Sequence, residues 1–128
     1  MKIPDNLKYT ATHQWVSLEG DGTATVGITD YAQEQLGDVV FVQHPGLGRT
    51  VKRGENCAVV ESVKAASDIP APLSGEIIEV SAAAVAAPEK LNREPYAAWL
   101  FRVRIGKPSE VAALLDAAAY RKAVTSDG

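Results

Sequence analysis

The chain has 128 residues, 46% hydrophobic and 23% charged, with a formal net charge of −3 and a single cysteine. That length suits one domain with one core. The acidic balance argues against a nucleic-acid binder, which carries a basic patch. The lone Cys57 excludes an internal disulfide, and the longest apolar stretch, residues 82–87, is too short to span a bilayer.

In chain order, residues 15–18 and 23–28 flank Glu19-Gly20-Asp21-Gly22 and read as a hairpin closed by an Asp-Gly turn. Thr29-Asp30 can cap a short helix near 29–36, ended by Gly37. Residues 39–42 are apolar throughout and read as a buried strand. Pro45–Gly48 breaks that strand, and Val51-Lys52-Arg53-Gly54 is the next turn. Residues 57–61 and 75–80 read as strands on either side of a central hairpin, with Cys57 as a small core hydrophobe. Residues 82–95 are Ala-rich with Pro88 and Pro95, and read as a loop with one helical turn at 88–91. Ser109, after Pro108, can cap a C-terminal helix near 109–123, with Val111, Leu114, Leu115, Ala118 and Ala119 on one face. Residues 125–128 read as a disordered tail. The pattern is mainly β, a sandwich or flattened barrel in one domain spanning 1–128, with its core over about 7–124.

The chemistry of the chain concentrates in Glu61-Ser-Val-Lys64-Ala-Ala-Ser-Asp68. A lysine here stands at a hairpin tip among small residues, with a carboxylate on each side. A lysine at such a tip is ordinarily a solvated charge that blocks edge pairing. It is also the presentation needed for another enzyme to grasp the amine and acylate it. Gly54 and Gly75 lie at similar distances on either side and read as tight turns that let two strand pairs fold together. His13 and His44 stand in separate segments without a nucleophile or metal partner. Gly46-Leu47-Gly48 leads into a basic turn and not a helix, so it is no phosphate loop. These features point to a carrier and not an enzyme.

The octapeptide resembles the lipoyl-lysine hairpin of the glycine cleavage system H protein family. The likeness extends to Tyr9-Thr10, His13-Gln14-Trp15-Val16, the block from Val26 to Val42, Leu91-Asn92, Pro95-Tyr96, Trp99-Leu100, Leu114–Ala117 and Tyr120. It implies a lipoyl/biotinyl-type barrel-sandwich hybrid with lipoate on Lys64. Glu61, Ser62, Val63, Ala65, Asp68, Gly54 and Gly75 would then serve recognition by the lipoate-attaching enzymes. His13, Gln14 and Asp68 would lie near the parked arm or a partner.

The implied partners are a pyridoxal-phosphate glycine decarboxylase (P-protein), a folate-dependent aminomethyltransferase (T-protein) and dihydrolipoyl dehydrogenase (L-protein). The arm would carry the aminomethyl group of glycine from the first to the second and be reoxidised by the third. No nucleic acid or membrane is implied, and a monomer is expected. Biotin carriers flank their lysine with methionines, whereas Val63 and Ala65 stand here. Alternative readings are a relay that passes lipoate to other lipoyl domains, and a lipoyl domain of a 2-oxoacid dehydrogenase complex. Sequence departures are Gln14 where the family usually has an acid, Ala97-Ala98 in a shortened Gly-rich link, and Ser81 for a common Asn. Family-like sequence begins by Leu7, which leaves no room for a presequence. The expectation is therefore a bacterial cytoplasmic protein ahead of a mitochondrial matrix one.

Overall fold

The computed structural model describes residues 1–127. Among the described residues, nine strands form two antiparallel sheets: β1 (Lys8–Tyr9), β2 (Gln14–Leu18), β3 (Thr23–Ile28), β4 (Val39–Gln43), β5 (Thr50–Val51), β6 (Asn56–Ser62), β7 (Ala66–Pro70), β8 (Gly75–Val80) and β9 (Phe101–Ile105). One sheet has the order β1-β2-β3-β9-β8-β5 and the other β4-β6-β7. Side chains alternate across each strand, and the inward set of both sheets joins in one core. Val16, Val26, Val42, Val60, Ile69, Ile77, Phe101 and Val103 belong to it. The sandwich expected from the alternating runs is therefore the fold observed.

The β2–β3 hairpin turns through Glu19–Gly22, with positive φ at Gly20 and Gly22. Opposite it in the same sheet, Trp15 lies across Gly27, where a Cβ would come within 2.6 Å of three indole atoms. The indole Nε1 donates to the Pro95 carbonyl at 2.9 Å.

Several local readings change. The run 39–42 is not buried throughout. Val39 and Val42 face the core, while a bulge between Val39 and Phe41 turns Val40 and Phe41 outward at 56% and 47% exposure. Residues 82–95 hold two short helices, α2 (Ala82–Ala86), capped by the Ser81 hydroxyl, and α3 (Lys90–Arg93). His44, most simply a surface turn residue beside Pro45 on sequence, is half-buried: its Nε2 lies 2.6 Å from the Ser81 carbonyl, and its Nδ1 is buried without a hydrogen-bond partner among the described residues.

The helix expected near 109–123 is broken in two. A 3₁₀ turn covers Pro108–Ala113, and α4 begins only at Ala117. The interruption is tertiary: Leu115 exchanges both backbone hydrogen bonds with Tyr9, each 2.8 Å, which takes groups a continuous helix would need. Asp116 then restarts the helix by capping the Ala119 amide. Helix α4 runs to Asp127, past the Thr125 where a tail was expected, and Gly128 lies outside the described residues. Tyr120 and Val124 of α4 pack with Leu7, Tyr9 and Trp15 in a second apolar cluster.

Gly75 is not a turn glycine. It opens β8 beside β9, where a Cβ would come within 1.9 Å of the Arg104 carbonyl oxygen. Gly54, by contrast, is in a turn with φ +87.

Candidate functional site

Strands β6 and β7 pair from Asn56↔Pro70 to Glu61↔Ala66, which leaves Ser62-Val63-Lys64-Ala65 as the turn. Ser62 builds that turn. Its amide donates to the Ala65 carbonyl at 2.8 Å, and its hydroxyl oxygen accepts from the amides of Lys64 and Ala65 at 3.3 and 3.2 Å. A serine at the first turn position is well suited to this. Ser62 is buried, so its observed part is to shape the turn. Val63, at 72% exposure, stands out into solvent while its amide donates to the Asp38 carbonyl at 3.1 Å.

Lys64 and the alanines after it are exposed. Among the described residues no ion pair holds the amine. The lysine stem passes over Gly37, where a Cβ would come within 3.2 Å of Cε. Gly37 is the C-cap of α1 (Asp30–Leu36), with φ 78 and ψ −156, a backbone that suits glycine on both counts. Glu61 is half-buried on β6 between Phe41 and Ala66, and Asp68 is exposed opposite Val59. Gly54 and Gly75 lie beyond the opposite end of β6 from the tip. They are not gathered with Lys64.

His13 and Gln14, with Asp68 from more than fifty residues on, line one cavity of about 170 Å³. Its other lining residues are Thr12, Ile28, Ala32, Gln35, Leu36, Ser67 and Ile69, so α1 and β7 both contribute walls and the lining mixes apolar and polar side chains. Its nearest lining residue along the chain, Ser67, stands three positions after Lys64, at most roughly 10 Å away. His13, with φ 72, tilts over Tyr31 and places Nδ1 2.8 Å from the Tyr120 hydroxyl.

Gln14 is 2% exposed and held by its own loop. Its Oε1 accepts from the hydroxyls of Thr10 and Thr12 at 2.7 and 2.6 Å, and its Nε2 donates to the Thr12 carbonyl at 2.6 Å. The amide matches that last acceptor, which a carboxylate oxygen would repel. Asp68 is thus the one acidic side chain among the lining residues. An exposed amine beside a cavity of this make-up suits a long apolar arm with a polar tip.

Sequence reading overlooked Thr12, Asn92 and Tyr120 as contributors to this site. Asn92 and Tyr120 stand in segments that carried the family likeness, but nothing local to them shows what they touch. Cys57, by contrast, is the core residue expected. Burial pushes its thiol up to about 12.

The sequence profile of the glycine cleavage H-protein family matches residues 7–127. The glycine cleavage system H protein of Thiobacillus denitrificans is 54% identical over 127 residues, covering 99% of this chain and 98% of that one. The protein of the same name from Nitrosomonas europaea is 56% identical over 127 residues, with the same coverage. The crystal structure of a glycine cleavage system H protein from Mycobacterium marinum superposes with a TM-score of 0.81. It is 46% identical, and the match covers 92% of this chain and 95% of that one.

Proposed function

The chain belongs to the glycine cleavage H-protein family, and from that premise we propose that it is the lipoyl carrier of a glycine cleavage system, with lipoate in amide linkage to Lys64. The observation that carries this reading is the lysine itself: exposed, free of ion pairs among the described residues, and set on a serine-built turn next to a cavity. Attached to Lys64, lipoate would supply a cyclic disulfide able to accept a glycine-derived aminomethyl group, from which the nitrogen would leave as ammonia and the carbon pass to folate before the dithiol is reoxidised by a partner.

What the protein does is present, shelter and dock. Ser62 holds the turn so that the Lys64 amine projects at its tip. Gly37 leaves space for the lysine stem, and the walls Ile28, Ala32, Leu36 and Ile69 exclude water from an arm lying between them. Asp68 offers a carboxylate on the cavity wall. A tethered arm reaches each partner at an effective concentration set by its length.

The surface around Lys64 also describes its partners. Residues 30–43 and 56–70 carry five acidic side chains and one basic, Lys64, while the rest of the chain carries eleven acidic and twelve basic. Those two segments therefore carry a net charge of −4, which acylation of the amine takes to −5. With Val40, Phe41 and Val63 exposed there, a fitting partner presents basic groups around an apolar depression. Decarboxylase, aminomethyltransferase, dihydrolipoyl dehydrogenase and lipoate-attaching enzymes are the partners of this reading, with a monomeric carrier in the cytoplasm of a bacterium. No helix among the described residues is long and apolar enough to cross a membrane.

Intact and peptide mass spectrometry of the natively expressed protein tests the assignment. The parent gains one lipoyl group on Lys64, and Lys64→Arg folds normally without gaining it. Lipoate on Lys52 or Lys90 would overturn the reading.

A further inference from the structure

Helix α1 forms one wall of the cavity beside Lys64. It has seven residues and none is buried, although Ala32 and Leu36 pack against the core and Tyr31 packs against the second apolar cluster. The Asp30 amide donates to the Tyr96 hydroxyl at 3.1 Å. A two-turn helix does not sustain itself in water, so its position depends on what holds its ends.

Both ends are held by side chains from remote segments. At the N-terminus, the hydroxyl of Tyr120, a fully buried residue of α4, lies 2.7 Å from Thr29 Oγ1 and 2.8 Å from His13 Nδ1. Thr29 Oγ1 in turn caps the Ala32 amide. One phenol thus joins the helix cap to the residue that lines the cavity across from it. At the C-terminus, Asn92 of α3 donates from Nδ2 to Gln33 Oε1 at 3.0 Å and to the Gly37 carbonyl at 2.7 Å. Its Oδ1 accepts from the Val39 amide at 2.8 Å. Between those two backbone contacts lie Gly37, under the Lys64 stem, and Asp38, whose carbonyl receives the Val63 amide.

We propose that Tyr120 and Asn92 are positioning residues for the carrier arm. They clamp α1 at its two ends and so set the width of the cavity between α1 and β7. The role rests on the carrier reading above, but the clamps themselves are measurable without lipoate. Tyr120→Phe keeps the ring stacked on Tyr9, at a centroid distance of 4.7 Å, and removes only the hydroxyl. Asn92→Ala removes the other clamp. Asn92→Asp, which keeps the Val39 contact and loses both donated bonds, replaces it if the alanine variant does not fold. Tyr9→Phe is the control: it deletes a hydroxyl in the same aromatic cluster, bonded to the Pro4 carbonyl at 2.6 Å, without touching α1.

In the full-length protein without lipoate, amide hydrogen exchange is the first readout. Tyr120→Phe speeds exchange at Ala32 and Gln33, and Asn92→Ala at Gly37 and Val39, by about fivefold each, the factor equivalent to one hydrogen bond of about 1 kcal/mol. Tyr9→Phe leaves these amides at parental rates. In the lipoylated, glycine-loaded protein freed of its partners, both clamp variants release ammonia several-fold faster than the parent and Tyr9→Phe does not. Unchanged α1 exchange, equal loosening in Tyr9→Phe, or a loosened α1 with parental ammonia release would each overturn the proposal. Absence of lipoate on Lys64 in the parent would instead overturn the carrier reading, leaving the exchange result to stand.

Discussion

Replacing Glu110 tests how the end of the sandwich remote from Lys64 is held. Residues 71–75 form a buried crossing from β7 to β8, and buried backbone groups need partners. Glu110, in the 3₁₀ turn, supplies them: one carboxylate oxygen accepts from the Ser74 amide at 2.7 Å and the other from the Ser74 hydroxyl at 2.8 Å. The Ser74 hydroxyl oxygen also accepts from the Arg53 amide at 2.9 Å, which ties in the Gly54 turn. A hydrogen bond to a charged group contributes about 1.5–3 kcal/mol. Both bonds share one half-exposed carboxylate, so solvent screening reduces their sum by about half, to about 2 kcal/mol for Glu110→Ala. Glu110→Gln keeps one acceptor and costs about 1 kcal/mol.

The pH dependence has a definite sign. Partial burial alone would raise this carboxyl, but the amide and hydroxyl bonds from Ser74 outweigh it and hold the group below its ordinary value. A depressed folded-state value gives stability that is present above the unfolded value of 4.5 and lost as pH falls through the folded one. Urea unfolding of the parent and Glu110→Ala at pH 7 and at about pH 3.5 measures both effects. The expected gap of about 2 kcal/mol narrows at the acid end. A gap below about 0.5 kcal/mol at pH 7, or one indifferent to pH, would refute the reasoning.

Two further outcomes are expected. Glu61→Lys slows lipoylation of Lys64 several-fold while changing stability by less than about 0.5 kcal/mol, since a partly exposed charge contributes weakly to folding; equal rates of lipoate attachment would remove Glu61 from recognition. Because burial pushes the Cys57 thiol up to about 12, a thiol reagent at pH 8 labels the native protein no faster than it opens, yet titrates one thiol at once in denaturant. Prompt labelling of the native protein would show that the cysteine is not the core residue described.

Much of this protein was decided within short windows of its sequence. Thr29 and Gly37 bound α1 because a hydroxyl can cap a free amide and glycine tolerates a positive φ. Lys64 stands at a hairpin tip because alternating strands close over a small polar turn. Those are contacts between near neighbours, and residue type alone carries them. The break at Leu114–Asp116 is different: helical spacing ran straight through it, and only the pairing of Leu115 with Tyr9 stops the helix. Gly75 looked like a turn until the backbone of Arg104 was beside it. The meeting of His13, Gln14 and Asp68 in one cavity, and the clamping of α1 by Tyr120 and Asn92, depend on chain segments dozens of residues apart. No local pattern encodes such meetings, because they arise when two sheets bury a common core and carry their loops along.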